Sequence, residues 1–348
     1  MAVTTFPTGR SETKRWGIAS ILAASAIVLT AVGGSGCGAP TRGAEVDRLT
    51  IGAYSVLREA LREGILPAFA RHRAAATGRE VVFEESYNAS GALTRSIVSG
   101  FDADVALLSI ETDMDQLARA GRVASDWRAT PHGGMITRSL VVIGVRPGNP
   151  LAIADWSDLA EPGVDVLYPD PKTSGGARWN LFAIWGAGLL GSDRADEAAA
   201  ESLMRGVQRR VVNMDASGRQ SLASFARGIG DAAVTYENEL RLRERRLGSA
   251  IESVVPRRTL LIEGPAAIVE TSVAKHGNRE LADDFLRFLH GEEGQAILSE
   301  FGFRPLGAPL PEGVFTLRDL DGAAAIQRRV FGDDGIWNRM FTDRTEAR

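Results

Sequence analysis

The 348-residue chain has one cysteine, Cys37, so no disulfide can form within it and the fold must rest on an apolar core. Lysine is nearly missing, with only Lys14, Lys172 and Lys275, and no GxxxxGK[ST] loop occurs. That excludes the lysine-bearing phosphate cradle of nucleotide-hydrolysing proteins. No GxSxG elbow offers a serine nucleophile. The histidines, His72, His132, His276 and His290, are scattered without metal-ligand spacing. Asp102 with Asp104, and Asp113 with Asp115, read as flanks of a strand and a helix rather than as a grip for a hard cation. A formal net charge of −4 leaves no basic field for a nucleic-acid partner. An enzyme is disfavoured on these absences, and neither a cofactor nor a metal is expected.

What is present is a globular composition, 44% hydrophobic and 24% charged, in a chain long enough for two domains or two lobes. Its front end reads as an address. Arg10, Lys14 and Arg15 outweigh Glu12, and residues 16–32 then run without a charge. A basic head before an apolar stretch is the pattern of an export signal. Gly33, Gly34, Ser35 and Gly36 end that stretch and lead into Cys37. Small residues before a lone cysteine resemble a bacterial lipoprotein signal, with Gly34 standing where leucine is usual. The expectation is a signal over residues 1–36, lipid on Cys37 and a tether over 37–47. A plain secreted protein and an uncleaved anchor are the alternatives, the latter because about 20 apolar residues span a bilayer.

Beyond the tether, short β-rich runs at 49–54, 80–84, 104–109, 139–145, 164–168, 211–214 and 232–236 alternate with helical patterns. Val56, Leu57, Ala60, Leu61, Ile65 and Phe69 recur at helical spacing, as do Leu281, Phe285, Leu286 and Leu289. The alternation predicts an α/β fold with mainly parallel sheets and helices on both faces. With no long linker visible, two lobes would be crossed on short strands.

Three places share one signature, in which an extended stretch ends, serine and glycine follow, and a helix begins. They are Ser90-Gly91-Ala92, Ser174-Gly175-Gly176-Ala177 and Ser217-Gly218-Arg219. The first turn of a helix has backbone N–H groups without partners, and glycine lets an anion come close to them. Taken singly, each reads as an ordinary serine-capped helix start. Convergence on one spot would make them a site for a compact oxyanion.

The stretch Pro171-Lys172-Thr173-Ser174-Gly175-Gly176-Ala177-Arg178-Trp179-Asn180 is similar to the signature segment of the bacterial sulfate- and thiosulfate-binding proteins, the solute receptors of ATP-driven importers. The resemblance runs from Leu49 to about Phe303 and includes Gly52-Ala53-Tyr54, Glu85-Ser86, Gly148-Asn149-Pro150, Asp155-Trp156 and Glu237-Asn238-Glu239. It implies a two-lobed periplasmic-binding-protein-like fold, here 48–137 plus 256–348 against 138–255, joined by a hinge and closing over one anion. It also implies a monomeric periplasmic or extracytoplasmic receptor that delivers sulfate or thiosulfate to a membrane permease. Carried onto matching positions, the ligand contacts are the N–H groups of Ser90, Gly175, Gly176 and Gly218 and the Ser174 hydroxyl. Arg178 and Arg219 match arginines expected to hold loops or the lobe interface. Two positions depart from the family: Ser55 stands where aspartate is usual, and Tyr236 where a tryptophan supplies its indole N–H. A phenol can donate like an indole but can also accept. Ser55 is alternatively a cap for a helix beginning at Val56, and Tyr236 a packed strand residue.

A pocket made only of donors leaves the proton of hydrogen phosphate unpaired, whereas sulfate has no proton to place. An acceptor carboxylate would reverse that preference. Glu85, Asp215 and Glu237 lie near the candidate loops in sequence, but on the family pattern none faces the anion. Sulfate is therefore expected first, thiosulfate next, then phosphate or molybdate. A lipid-anchored interaction protein without a small ligand is the competing class.

Overall fold

The computed structural model describes residues 46–192, 194–248 and 251–340. The expected signal and Cys37 lie outside the described residues. In chain order the elements are β1 (Asp47–Tyr54), α1 (Leu66–Thr77), β2 (Val81–Asn88), α2 (Ser90–Val98), β3 (Val105–Leu107), α3 (Glu111–Arg119) and β4 (Met135–Val145). Then come β5 (Val166–Leu167), α4 (Gly175–Leu189), α5 (Glu197–Arg209), β6 (Val211–Asn213), α6 (Gly218–Ala226), β7 (Ala232–Tyr236), α7 (Glu237–Leu247) and β8 (Glu252–Val254). The chain continues through β9 (Thr259–Ile268), α8 (Glu270–His276), α9 (Arg279–His290), α10 (Glu292–Glu300), β10 (Val314–Phe315) and α11 (Ala323–Phe331).

The strands form one mixed sheet in the order β2-β1-β3-β9-β4-β7-β5-β6, with β10 beside β9 and β8 beside β4. Pairing is parallel at both ends, β2-β1-β3 and β7-β5-β6, and antiparallel where β9 meets β3 and where β4 meets β9, β7 and β8. Strands β4 and β9 belong to both halves. Residues Met135 to Leu140 of β4 pair with β9 and Val141 to Val145 with β7, while Ala266 to Ile268 of β9 pair with β3. The strands shared by the halves are thus the longest described, 11 and 10 residues, where short ones were expected. No sequence pattern announced β9, because Gly264 and Pro265 interrupt its apolar run and proline cannot donate to a ladder. Leu108 uses the Pro265 carbonyl instead, its N–H donating at 2.9 Å.

The core of the first half packs α1 and α9 against β1, with the Phe69 and Phe285 rings 5.1 Å apart edge to face. In the second half α4 is apolar around most of its circumference and is buried accordingly, with Trp179, Phe182 and Trp185 each almost wholly enclosed. Gly188 permits this depth, because a Cβ there would sit 2.6 Å from the Ala200 Cα of α5. The C-terminal segment closes over the same helices: the Phe331 ring lies 5.8 Å from Phe182, and Arg339 and Arg329 pair with Glu201 and Glu197 of α5. That packing places α11 with α4 and α5, whereas the expected division kept all of 256–348 with β1. The described residues belong to one compact unit, the two halves meeting around an internal cavity.

Candidate functional site

The helix starts singled out above come together. Ser90 of α2, Ser174 and Gly176 of α4, and Ser217 and Gly218 of α6 line a single cavity with Tyr54, Ser55, Ser109, Asn180, Tyr236 and Glu239. The centre of a water-sized sphere is free to move over only ≈ 20 Å³ there, so the space suits a small ligand. Caps explain why these termini remain available. The cap positions of α2 and α4, Ala89 and Ser174, are extended and neither side chain bonds a helix N–H. At α6 the Ser217 hydroxyl accepts from Gln220 N at 3.3 Å, leaving Gly218 N–H unused by the cap. Gly175 is outside the lining but sets how closely α2 and α4 approach, since a Cβ there would lie 2.4 Å from Ser109 Oγ and 3.1 Å from Ser90 Cβ. A Cβ on Gly176 would lie 3.1 Å from the Tyr236 hydroxyl and 3.3 Å from Ser174 Oγ.

Both arginines are held outside the cavity. Arg178 Nη2 donates to Asp113 Oδ1 at 2.7 Å and Nη1 to Thr112 Oγ1 at 3.1 Å, tying α4 to α3. The other Asp113 oxygen accepts from Ser90 Oγ at 2.7 Å, and Ser90 Oγ accepts from Ser109 N at 3.1 Å. The Ser90 hydroxyl is thereby consumed, leaving its N–H for a ligand. Arg219 holds Glu59 at 2.7 and 2.8 Å and Glu239 at 3.0 Å, joining α6, α7 and the turn after β1. Ser55 lines the cavity but caps nothing: Tyr54 occupies the cap position of the short turn Ser55–Leu57, and no side chain bonds the helix start. Being inside that turn, Ser55 is too far forward to act as its cap.

Sequence reasoning missed several members. Asp113 carries the junction just described, although it is far in sequence from both its partners. Glu239 is the carboxylate in the lining; Glu85 pairs with Arg62 and Glu237 with Arg304, while Asp215 accepts from Asn213 and Ser224. The signal available was the Glu237-Asn238-Glu239 triplet at a helix start, since residues two apart on a helix point in nearly opposite directions. Burial pushes the Glu239 carboxyl up, against the pull of Arg219. Ser109 and Asn180 also went unnoticed. Tyr236, Ser109 and Asn180 are nearly inaccessible, and the Tyr236 hydroxyl, Ser109 Oγ and Asn180 Oδ1 have no hydrogen-bond partner. Burial raises the Tyr236 phenol well above its usual pKa, so it stays protonated. Among the described residues no cluster of potential metal ligands is present.

A cleft of backbone donors with no cation facing it is built to receive a solute, and the sequence pattern of the bacterial extracellular solute-binding proteins matches residues 49–304. This chain belongs to that family. Among its relatives, the sulfate-binding protein of Synechococcus elongatus is 35% identical over 337 residues, covering 92% of this chain and 94% of the relative. The thiosulfate-binding protein of Pseudomonas aeruginosa is 34% identical over 304 residues, 83% and 91% of the two chains. Among solved structures, the sulfate-binding protein SubI from Mycobacterium tuberculosis matches with a TM-score of 0.75 at 33% identity, over 82% of this chain and 99% of that one. A periplasmic thiamin-binding protein, at 18% identity and a TM-score of 0.61, shares the fold alone. In this solute-binding protein the pocket lies where β1, β7 and three helix starts meet, and the relatives just described are named for the solutes they bind.

Proposed function

We propose that this solute-binding protein captures sulfate or thiosulfate outside the cytoplasmic membrane and delivers it to the permease of an ATP-driven importer. The observation that carries the reading is the meeting of three helix N-termini on a small cavity lined by no cation. Partial positive charge at those termini and their open N–H groups stabilise an anion without a counter-charge. In this reading the direct contacts are the N–H groups of Ser90, Gly176 and Gly218 with the hydroxyls of Ser174 and Tyr236, the expected Gly175 N–H sits behind the lining, and Ser55 edges the same space. Arg178 and Arg219 support the site by bridging its walls. Both cavity-side choices of ligand are supported by relatives named for sulfate and for thiosulfate.

In this reading the first lobe is 48–137 with 256–304, the second is 138–255 with the α11 segment, and β4 and β9 form the hinge. Closure follows because the anion touches both lobes and so binds the closed state better. Residues 1–36 direct export, and lipid on Cys37 holds the monomer at the membrane surface.

The test is thermal unfolding of the protein from residue 38 onward with sulfate, thiosulfate, phosphate, molybdate or chloride at matched ionic strength. A ligand at about 1,000 times its dissociation constant stabilises by about 4 kcal/mol, a shift of several degrees. A shift with sulfate or thiosulfate is the expected result. A larger shift with phosphate or molybdate keeps the receptor and replaces the ligand. No shift with any anion points to an interaction protein. Turnover of a phosphate or sulfate ester would overturn the non-enzymatic reading.

A further inference from the structure

The helix starts supply donors, but beside them the cavity also carries oxygens that can accept. Tyr236 is 4% and Ser109 2% exposed, both line the cavity, and neither hydroxyl has a hydrogen-bond partner. They flank consecutive glycines at the α4 start: a Cβ on Gly175 would lie 2.4 Å from Ser109 Oγ, and one on Gly176 3.1 Å from the Tyr236 hydroxyl. Asn180 adds an amide oxygen without a partner, its NH2 group being pinned by donation to the Val234 carbonyl at 3.0 Å. Leaving buried polar atoms unpaired is costly, and a cluster of them around one space is an arrangement completed by a ligand.

A hydroxyl is both donor and acceptor, and its hydrogen rotates to suit its surroundings. We propose that Tyr236 and Ser109 form a reversible pair that lets this site hold a tetrahedral oxyanion with or without one proton. Around an unprotonated dianion such as sulfate, Tyr236 donates to the ligand and Ser109 donates to the Tyr236 oxygen. Around a singly protonated one such as hydrogen phosphate, the ligand donates to the Tyr236 oxygen, and Tyr236 donates to Ser109 Oγ. No proton is transferred; only the direction of two hydrogen bonds reverses. The carboxylate of Glu239 does not replace this device, because Arg219 holds it. The inference rests on the oxyanion-receptor reading above and sets its selectivity: discrimination against a protonated anion is shallow, where a wall made only of donors would exclude it.

The experiment is calorimetric titration of the wild-type protein and of Ser109→Ala and Tyr236→Phe. The ligands are sulfate, selenate, phosphate and arsenate, at a mildly alkaline pH where the first two carry no proton and the last two carry one. Selenate and arsenate are close in size, so their difference isolates the proton. Wild type is expected to bind phosphate and arsenate within about 100-fold of sulfate and selenate, the scale of one imperfectly paired buried group. Ser109→Ala removes the acceptor for Tyr236 and should weaken the protonated pair about 10-fold more than the unprotonated pair. Ser109 Oγ carries no bond in the fold, so the unliganded unfolding midpoint serves as the control for folding. Tyr236→Phe should weaken all four ligands. Strong binding of sulfate and selenate with no detectable binding of phosphate and arsenate overturns the reversible pair and leaves the receptor reading intact. Equal effects of Ser109→Ala on both classes also overturn it. Failure of all four anions to bind overturns the reversible pair, and the receptor reading falls with it when thiosulfate too gives no shift in thermal unfolding.

Discussion

Two buried polar regions of this protein sit within one sheet's reach of each other and obey opposite rules. Just before β3 and beside β1, the Asp104 carboxylate is 1% exposed and fully engaged. It accepts from Thr50 N at 2.7 Å and Asn278 Nδ2 at 2.9 Å, and His276 Nδ1 lies 2.7 Å away. At the cavity, by contrast, Tyr236, Ser109 and Asn180 hold open oxygens beside helix starts with open N–H groups. The first region spends its polarity on joining β1 to the α8–α9 corner. The second withholds it. An open group alone does not mark a site, since Trp185 Nε1 and the Asn238 amide are also unpartnered. What separates the regions is that the open groups at the cavity surround one enclosed space and carry both donor and acceptor character.

The contrast can be broken most completely at Gly176. Gly176→Asp puts a carboxylate among the anion's donors, close to the Tyr236 and Ser174 oxygens. It should abolish oxyanion binding in calorimetry while the circular dichroism spectrum stays native. Undiminished affinity would remove the α4 start from the site. The reverse experiment is Asp104→Asn, which strips the engaged region of its charge. Denaturant unfolding should show a loss of about 3 kcal/mol, because donors built around a carboxylate lose it, while anion affinity changes little. A large affinity loss without a stability loss would erase the distinction between the regions.

A smaller effect is expected at Glu239, on the border of the cavity. Burial raises the Glu239 carboxyl, so the folded protein keeps that proton to higher pH than the unfolded chain does. Its contribution to stability is full below the ordinary carboxyl range and is lost as pH rises through the raised value. Wild type should therefore fall in stability relative to Glu239→Gln as pH climbs through that window. Parallel pH profiles for the two proteins would show that Arg219 cancels the burial effect.

The parts of this architecture that were legible in the sequence are those set by local rules. The starts of α2, α4 and α6 could be read from serine and glycine before apolar periodicity, and the 171–180 segment pointed to the receptor family. Strand β7 appeared where its apolar run stood, and β2 continued past its expected end. What could not be read depends on distant partners. Strand β9 was hidden by Gly264-Pro265, whose tolerance in a central position comes from the register shift opposite, between Met135 and Thr137 of β4. Ser109 looks like any polar residue after a short strand until α4 brings Gly175 against it. Asp113 resembles a solvated helix-start acid until Ser90 and Arg178 arrive from two other helices. The α11 segment follows the β1 half in sequence but finds its apolar partners on α4.

A single indole bond ties α4 to the cavity wall at Ser109. The Trp179 indole N–H, 1% exposed in α4, donates to the Ser109 carbonyl at 2.6 Å, and Ser109 is the residue whose side chain faces the cavity. An indole's emission responds to the hydrogen bond its nitrogen makes and to the polarity around the ring. Trp179 is thus an intrinsic optical reporter one residue from the proposed site, and loss of an anion-induced fluorescence change in Trp179→Phe would single out its signal from those of the other tryptophans.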